Sequence, residues 1–420
     1  MKNSDSDNMI FENALLIDGC GGEPIPGSFV AVSEGIIREV SDRPIKGLGR
    51  RVALGGQTLM PGLIDAHVHP GVVELTMEGQ LSLSPAVYVH RVSRNLEIDL
   101  QLGYTTLRDA SLLDTGFKIA VEEGYINGPR LLLAVTGLIQ SGAEGLDPGF
   151  LRRPIDFQNP LGMRPEVCDG PDEVRRAARR VLGMGADQIK VFASGEVASQ
   201  SQYDRTTPYH CKFSVPELRA AAEAAAEAGT YVMAHAYGPR AIVNCVEAGV
   251  GCVEHGNLLD DKTARLMAEA GTYYVPTLTT YSILANESRA AMSARSLEKL
   301  VMVQDQGMRA VEAAHRAGVR IGSGSDIIGP FQELKGRELA FKAEVMSPMA
   351  AIVAATKTNA ELMGLNDRLG TIEAGKMADL IVIDQNPLEN MAVFESALQH
   401  VVLVMKQGRI YKQTSMDGLK

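Results

Sequence analysis

The chain has 420 residues and a formal net charge of -10. That length exceeds what a single hydrophobic core usually fills, so a large domain with a smaller companion is expected. The acidic balance, with Lys and Arg scattered and no basic tail, argues against a phosphate-tracking nucleic-acid protein, and the lack of Trp removes an aromatic-rich base-stacking surface.

The opening residues, MKNSDSDNMIFEN, are polar and acidic and show no signal peptide. They point to the cytoplasm, or to a secreted or periplasmic setting if a leader has been removed. No apolar run reaches the length of a membrane span. Residues 9–60 then carry short apolar or alternating segments broken by Gly and Pro, such as MIFENALLIDG, SFVAVSEGIIREVS and RVALGG. These predict antiparallel strands with turns. Residues 369–413 have the same character in LGTIEAGKMADLIVID and HVVLVMKQGRIYKQ. The two ends, 1–60 and 366–420, are therefore expected to join in one small β domain, a sandwich, with residues 61–365 inserted between them.

The middle changes period. SVPELRAAAEAAAEAG, Ser214 to Gly229, predicts a helix: Ser214 caps it, Glu217 completes a capping box, Ala and Glu favour the interior and Gly229 suits the exit. YVMAHA reads as a strand, AIVNCVEAG as a helix and VGCVEHG as a strand. DKTARLMAEAG reads as a helix and TYYVPTL as a strand, and MRAVEAAHRAG leads into VRIGSGSD. Such alternation implies parallel sheet covered by helices, and over some three hundred residues a TIM-type (β/α)8 barrel fits best. An open doubly wound sheet is the alternative, but no GxGxxG follows an early strand. Residues 137–171, rich in Gly and Pro, read as a lid or binding loop, or as a solvated excursion. Cys20, Cys168, Cys211, Cys245 and Cys252 are odd in number and form no CxxC pair, so they read as free, mostly buried thiols.

Polar residues recur at the predicted strand ends. His67 and His69 follow LMPGLID, and alternate strand positions face the same side, so both imidazoles can meet one ion. Lys190 follows GADQI, His235 ends YVMA, His255 ends VGCVE and Asp326 follows VRIGSGS. Each signal is weak alone. Together they fall where barrel active sites form. The alternatives are six unrelated loop residues, or a structural metal. Structural zinc usually takes four Cys or His ligands, whereas this set lacks Cys and contains a Lys, which favours an open, catalytic site.

These stretches resemble the amidohydrolase superfamily, in the metal-dependent amidase and dipeptidase branch near prolidase-like, imidazolonepropionase-like and ochratoxin-hydrolysing enzymes. PGLIDAHVHP resembles the first-strand metal motif, QIKVFASG the carboxylated-lysine segment, and AHAYG and VEHG the two later histidine motifs. GSGSD resembles the aspartate motif and GTIEAGKMADLIVID the return into the β domain. The resemblance covers nearly the whole chain. It implies two divalent metal ions, zinc by expectation: His67 and His69 on one, His235 and His255 on the other. Lys190 would bridge them as a carbamate formed with carbon dioxide. Asp326 would touch one metal and a bridging hydroxide, taking its proton during attack on a carbonyl and returning it to the leaving amine. A homo-oligomer is implied as well.

Three positions depart from close relatives. Glu144 stands where many have a His in GGHG, Tyr237 replaces the second His of AHAHG, and SGE at Ser194–Glu196 replaces SGG. Tyr237 could donate to a carbonyl or an oxyanion, or simply pack. Tyr203, Arg205 and His210 follow the Lys190 strand and are candidate substrate contacts; Arg152 and Arg153 are candidate carboxylate anchors. His90, His315 and His400 read as helix or surface residues. The expected activity is hydrolysis of an amide in an N-acyl amino acid or dipeptide, ochratoxin A included. The alternatives are Xaa-Pro dipeptides and cyclic amides such as imidazolonepropionate. A metal-binding structural or interaction protein with a decayed site is the reading of a different class, and Lys190 and Asp326 weigh against it.

Overall fold

The computed structural model describes residues 8–47, 49–142, 158–197 and 210–414. Strands from both chain ends meet in one eight-stranded sheet. Its order is Arg409–Gln413, Val401–Lys406, Leu380–Ile383, Thr58–Pro61, Asn8–Leu16, Ile25–Ser33 and Ile36–Ser41, with Arg50–Ala53 also paired to Asn8–Leu16. The run LIVI at Leu380–Ile383 is apolar throughout because both of its faces are covered. Leu380 and Val382 pack with Phe11, Val30, Ile37 and Leu403, whereas Ile381 and Ile383 pack with Leu96 and Leu100 of the helix Pro85–Gln101. Each such side chain contributes about 1.5–3 kcal/mol by leaving water.

One expectation for the first sixty residues is corrected. Asn8–Leu16, Ile25–Ser33 and Ile36–Ser41 are antiparallel in succession, but Arg50–Ala53 and Thr58–Pro61 both run parallel to Asn8–Leu16. Thr58–Pro61 lies between Asn8–Leu16 and Leu380–Ile383, pairing antiparallel with the latter. Its direction is fixed by this partner on its other edge and by the need to lead straight into Leu63–Val68. Local alternation of apolar residues carries no information about that choice.

The central region alternates strand and helix, and its strand pairs are all parallel. Glu166–Val167, Gly137–Ile139, Ile189–Phe192, Val232–Ala236, Cys252–His255 and Tyr273–Val275 form one sheet in that order; Leu63–Val68, Tyr104–Asp109 and Arg130–Leu132 form another. Two links join these sheets. Ile321 bridges Tyr274 in parallel, while Ala66 donates to the Ser323 carbonyl at 2.9 Å and Asp326 to the His67 carbonyl at 2.8 Å. On the other side the chain runs from Arg130–Leu132 directly into Gly137–Ile139, and Asp187 donates to the Leu133 carbonyl. Asn359 clamps the first link: its amide donates to the carbonyls of Ile64 and Ser323 and accepts from the Ser323 N–H.

The covering helices follow their sequence signals. In Pro85–Gln101, Ser84 caps the first turn, Pro occupies an early position, and Tyr88, Val92, Leu96 and Leu100 make a buried stripe at helical spacing. Val215–Glu227 begins at Ser214, whose backbone N–H donates to Glu217 at 2.7 Å. Asp261–Ala270 ends at Gly271 in the left-handed region, which lets the chain turn at once into Tyr273–Val275. TYYVPTL is strand only at Tyr273–Val275; a helix, Leu278–Asn286, starts soon after Pro276. No helix among the described residues is long and apolar enough to cross a membrane.

Candidate metal centre

The C-terminal ends of the parallel strands bring six polar side chains together. His67 lies within Leu63–Val68 and His69 just beyond it. Lys190 is in Ile189–Phe192, His235 in Val232–Ala236, His255 at the end of Cys252–His255, and Asp326 follows the bridge at Ile321. The strand register brings Phe192 opposite His235 and Ala236 opposite His255. Ring centroids are 5.4 Å apart for His69 and His67, 4.7 Å for His67 and His255, and 4.4 Å for His255 and His235. Asp326 Oδ1 stands 3.4 Å from His69 Nε2 and 3.6 Å from His67 Nε2; Lys190 Nζ is 3.5 Å from His67 Nε2. His67, His69 and Asp326 offer one ligand atom each, all within 4.8 Å of one another.

Each imidazole has one nitrogen engaged by the protein. His67 Nδ1 meets Glu254 Oε2 at 2.6 Å and His69 Nδ1 faces the Ser111 carbonyl at 3.4 Å. His235 Nε2 meets the Gly195 carbonyl at 2.9 Å, and His255 Nδ1 meets Thr277 Oγ1 at 2.8 Å. The other nitrogens are Nε2 of His67, His69 and His255 and Nδ1 of His235, and that of His67 faces Lys190 Nζ. Such partners fix ring orientation and tautomer in metal sites. Burial, reinforced by the nearby Lys190, drives the pKa of His67 and His235 well below the ordinary imidazole value, and that of His69 to about 3. Burial, then His235 and Lys190, does the same to His255. The rings are thus held neutral, the form with a lone pair to give.

Burial also lowers the pKa of Lys190, against the pull of Glu254 and Asp326, and so favours the nucleophilic free amine. It pushes the pKa of Asp326 upward, although Lys190 works in the opposite direction. His255 (φ 68°) and Asp326 (φ 54°) both hold left-handed backbone, which costs about 1–3 kcal/mol in a non-glycine residue and tends to persist at functional sites. Gly324 admits the close approach of the Asp326 segment: a Cβ there would lie 2.6 Å from both His67 Cβ and Val275 Cγ1. Among the described residues, His67, His69 and Asp326 form a cluster that could hold a metal ion.

Around this centre, the Tyr237 ring stands 4.8 Å from that of His235 and 5.5 Å from that of His255, and its hydroxyl accepts from the Tyr281 hydroxyl at 2.9 Å. Val197, Leu258, Tyr281, Leu300 and Val303 pack with it in one buried apolar cluster. Glu196, the acidic departure in SGE, is half-buried and adds negative potential at Lys190 and Asp326. His210 is exposed, and its backbone carbonyl accepts from Gly195. Glu144, Arg152, Arg153, Tyr203 and Arg205 lie outside the described residues. His90 and His315 are exposed on helices, and His400 pairs with Asp384.

Residue-by-residue reading missed the supports. Glu254 links His67 to Arg108, whose Nη2 is 2.7 Å from Glu254 Oε1 and whose Nε donates to the Ala66 carbonyl at 2.5 Å. Both side chains are fully buried. A signal existed: the short runs TTLRDA and VGCVEHG carry opposite charges in Arg108 and Glu254. Thr277 and Tyr281 carried no comparable signal.

The profile of the amidohydrolase family matches residues 58–411. The ochratoxinase of Aspergillus niger is 33% identical over 419 residues, spanning 95% of this chain and 85% of its own length. Among solved structures, an amidohydrolase superposes with a TM-score of 0.91 at 40% identity, covering 97% of this chain and 99% of its own. A prolidase complexed with N-methylphosphonate-L-proline superposes with a TM-score of 0.89 at 34% identity, covering 97% of this chain and 100% of its own. The chain belongs to the amidohydrolase family.

Proposed function

We propose that the protein is a binuclear metal-dependent hydrolase that cleaves a linear amide beside a residue with a free C-terminal carboxylate. N-acyl amino acids with an aromatic or apolar group are the preferred class, ochratoxin A among them. The observation that carries this reading is the convergence of four anchored imidazoles, Lys190 and Asp326 at the strand ends. Similarity to an ochratoxinase and to a prolidase supports a carboxylate-bearing amide.

His67 and His69 would hold one ion, His235 and His255 the other, and Lys190, as its carbamate, would lie between them. Two divalent cations bound there, zinc in this reading, supply a nucleophile from water at neutral pH and a Lewis acid for the carbonyl. Burial shifts the Lys190 pKa down, toward the neutral amine that adds carbon dioxide, since an ammonium has no lone pair. Asp326 takes the proton of the attacking water as oxygen bonds to the carbonyl carbon. It then delivers that proton to the nitrogen as the C–N bond breaks. Tyr237 donates a hydrogen bond to the carbonyl oxygen and the oxyanion that forms on it, with Tyr281 holding that hydroxyl in place. Glu144, Arg152, Arg153, Tyr203, Arg205 and His210 remain the candidates for substrate contact.

The same reading makes the two parallel sheets arcs of one (β/α)8 barrel over residues 61–365, with residues 1–60 and 366–420 as a β-sandwich. The links through Ile321, Ser323 and Leu133 support closure. A homo-oligomer belongs to it too, supported by the exposed apolar Leu81, Val87 and Val89 on adjoining helices; sedimentation that finds only monomer would remove this part.

The deciding assay compares N-acyl-phenylalanine, ochratoxin A, Xaa-Pro dipeptides and imidazolonepropionate on metal-loaded protein by kcat/KM. Highest efficiency on an aromatic N-acyl amino acid is expected. Preference for Xaa-Pro keeps the reaction class and replaces the substrate, whereas dominance of imidazolonepropionate removes the linear-amide reading. Lys190→Ala should lower metal content and turnover together; full activity with both metals retained would show that Lys190 does not bridge.

A further inference from the structure

Asp65 opens the stretch that carries His67 and His69, yet its carboxylate serves the backbone. Oδ1 accepts the N–H of His67 at 3.2 Å and that of Ser325 at 2.9 Å, and Oδ2 accepts the Ser325 hydroxyl at 2.5 Å. Ser325 immediately precedes Asp326, so one carboxylate grips both chain segments that end in candidate ligands. Behind it stands Lys335, whose Nζ is 3.5 Å from Asp65 Oδ2 and 2.8 Å from Asp99 Oδ1. Asp99 comes from the helix Pro85–Gln101, and Lys335 follows the short 3-10 turn Gln332–Leu334. Asp65, Asp99 and Lys335 are all sealed from solvent, and Lys335 Nζ also sits 5.7 Å from the centre of the Tyr104 ring.

Such an arrangement is a poor way to gain stability. Removing ions from water costs several kcal/mol each, and well-packed apolar residues of similar volume often do as well or better. Two carboxylates here share one ammonium, and neither Asp99 nor Lys335 has a further hydrogen-bond partner among the described residues. What the trio does supply is a fixed point. Lys335 holds Asp65 between the strand Leu63–Val68 and the Ser325 segment, and Asp99 holds Lys335 from a separate helix.

We propose that Asp99 and Lys335 are positioning residues of the metal centre: by pinning Asp65 they set the spacing of His67 and Asp326 and so retain the ion on the His67 side. This rests on the binuclear reading above. The test is a Co2+ titration of the metal-stripped full chain, followed by its visible d–d spectrum, its stoichiometry and the rate at which a chelator removes the ions. Lys335→Met and Asp99→Asn should each release one of two ions about 10–100-fold faster than the unaltered chain and shift the spectrum, the range usual for supports of metal ligands. Lys342→Met, which removes another sealed ion pair, that with Glu338, should leave spectrum and release rate as they are. If Lys335→Met does not fold, Asp99→Asn, nearly isosteric, carries the comparison. Unaltered stoichiometry, spectrum and release rate in the folded variants overturn the proposal, as does an equal change in Lys342→Met. Fewer than two ions in the unaltered chain overturns the binuclear reading itself, and that result appears before any variant is made.

Discussion

The pair Glu254–His67 is where one atom's placement has the largest consequence. His67 is fully buried, and Glu254 orients its Nδ1 so that Nε2 faces Lys190 and Asp326. Glu254→Gln keeps the shape and removes the charge shared with Arg108. It should lower metal affinity about 10–100-fold, read by competition with a chromophoric chelator; wild-type affinity would show that the charge on Glu254 is immaterial. Asp109 offers a different measurement. Its carboxyl is fully buried without a hydrogen-bond partner of good geometry among the described residues, and burial raises its pKa from 3.8 to about 8, against nearby backbone N–H groups and Lys190. The native state then holds this proton more tightly than the unfolded chain. The stability involved is fully present below about pH 4 and lost as pH rises through about 8. Asp109→Asn should flatten the decline of the urea midpoint across that window, while Asp99 and Asp326, also raised, leave part of the slope. An identical slope in the variant would exclude Asp109 as a titrating group.

Elements are held by side chains that reach across them. Asn359 satisfies the backbone of two neighbouring segments with three hydrogen bonds, at Ile64 and Ser323, close in sequence to the candidate ligands His67 and Asp326. Asn359→Ala leaves those buried groups unpaired, and at about 1 kcal/mol or more for each it should cost about 2–4 kcal/mol of unfolding free energy. Urea denaturation of the metal-free protein measures this directly; a loss under about 1 kcal/mol would mean that water replaces the amide. The helices, by contrast, answer to local signals. Ser84 and Ser214 cap where such residues should, and Tyr88, Val92, Leu96 and Leu100 follow helical spacing. The short strands were less legible. Tyr273–Val275 gives way to the helix at Leu278, and Gly137–Ile139 with Glu166–Val167 lies within a stretch that reads as loop. Strands of two or three residues depend on their neighbours, not on their own pattern.

At the scale of the molecule, the chain ends and the central region share packing: Ile381, Ile383, Val401 and Val404 lie against Leu96, Leu100 and Leu102. A chain ending at Gln399 would lose Val401–Lys406 and Arg409–Gln413 and bare the edge of Leu380–Ile383. It should be recovered as aggregate, because an unpaired apolar edge invites intermolecular pairing; a soluble product with full activity would show that the C-terminal strands are dispensable. The sequence by itself determined what periodicity and residue type can encode: helix caps and stripes, apolar strands, and ligand-type residues at strand ends. Tertiary structure decided what depends on distant partners. Thr58–Pro61 takes its direction from Leu380–Ile383, His67 meets Glu254 from 187 residues away, and Asp65 grips Ser325 from 260 away. Local spacing reports which face a residue occupies. Only the closing of one sheet edge on another brings those faces within hydrogen-bond reach, and the long-range pairs that hold a site leave no local pattern to read.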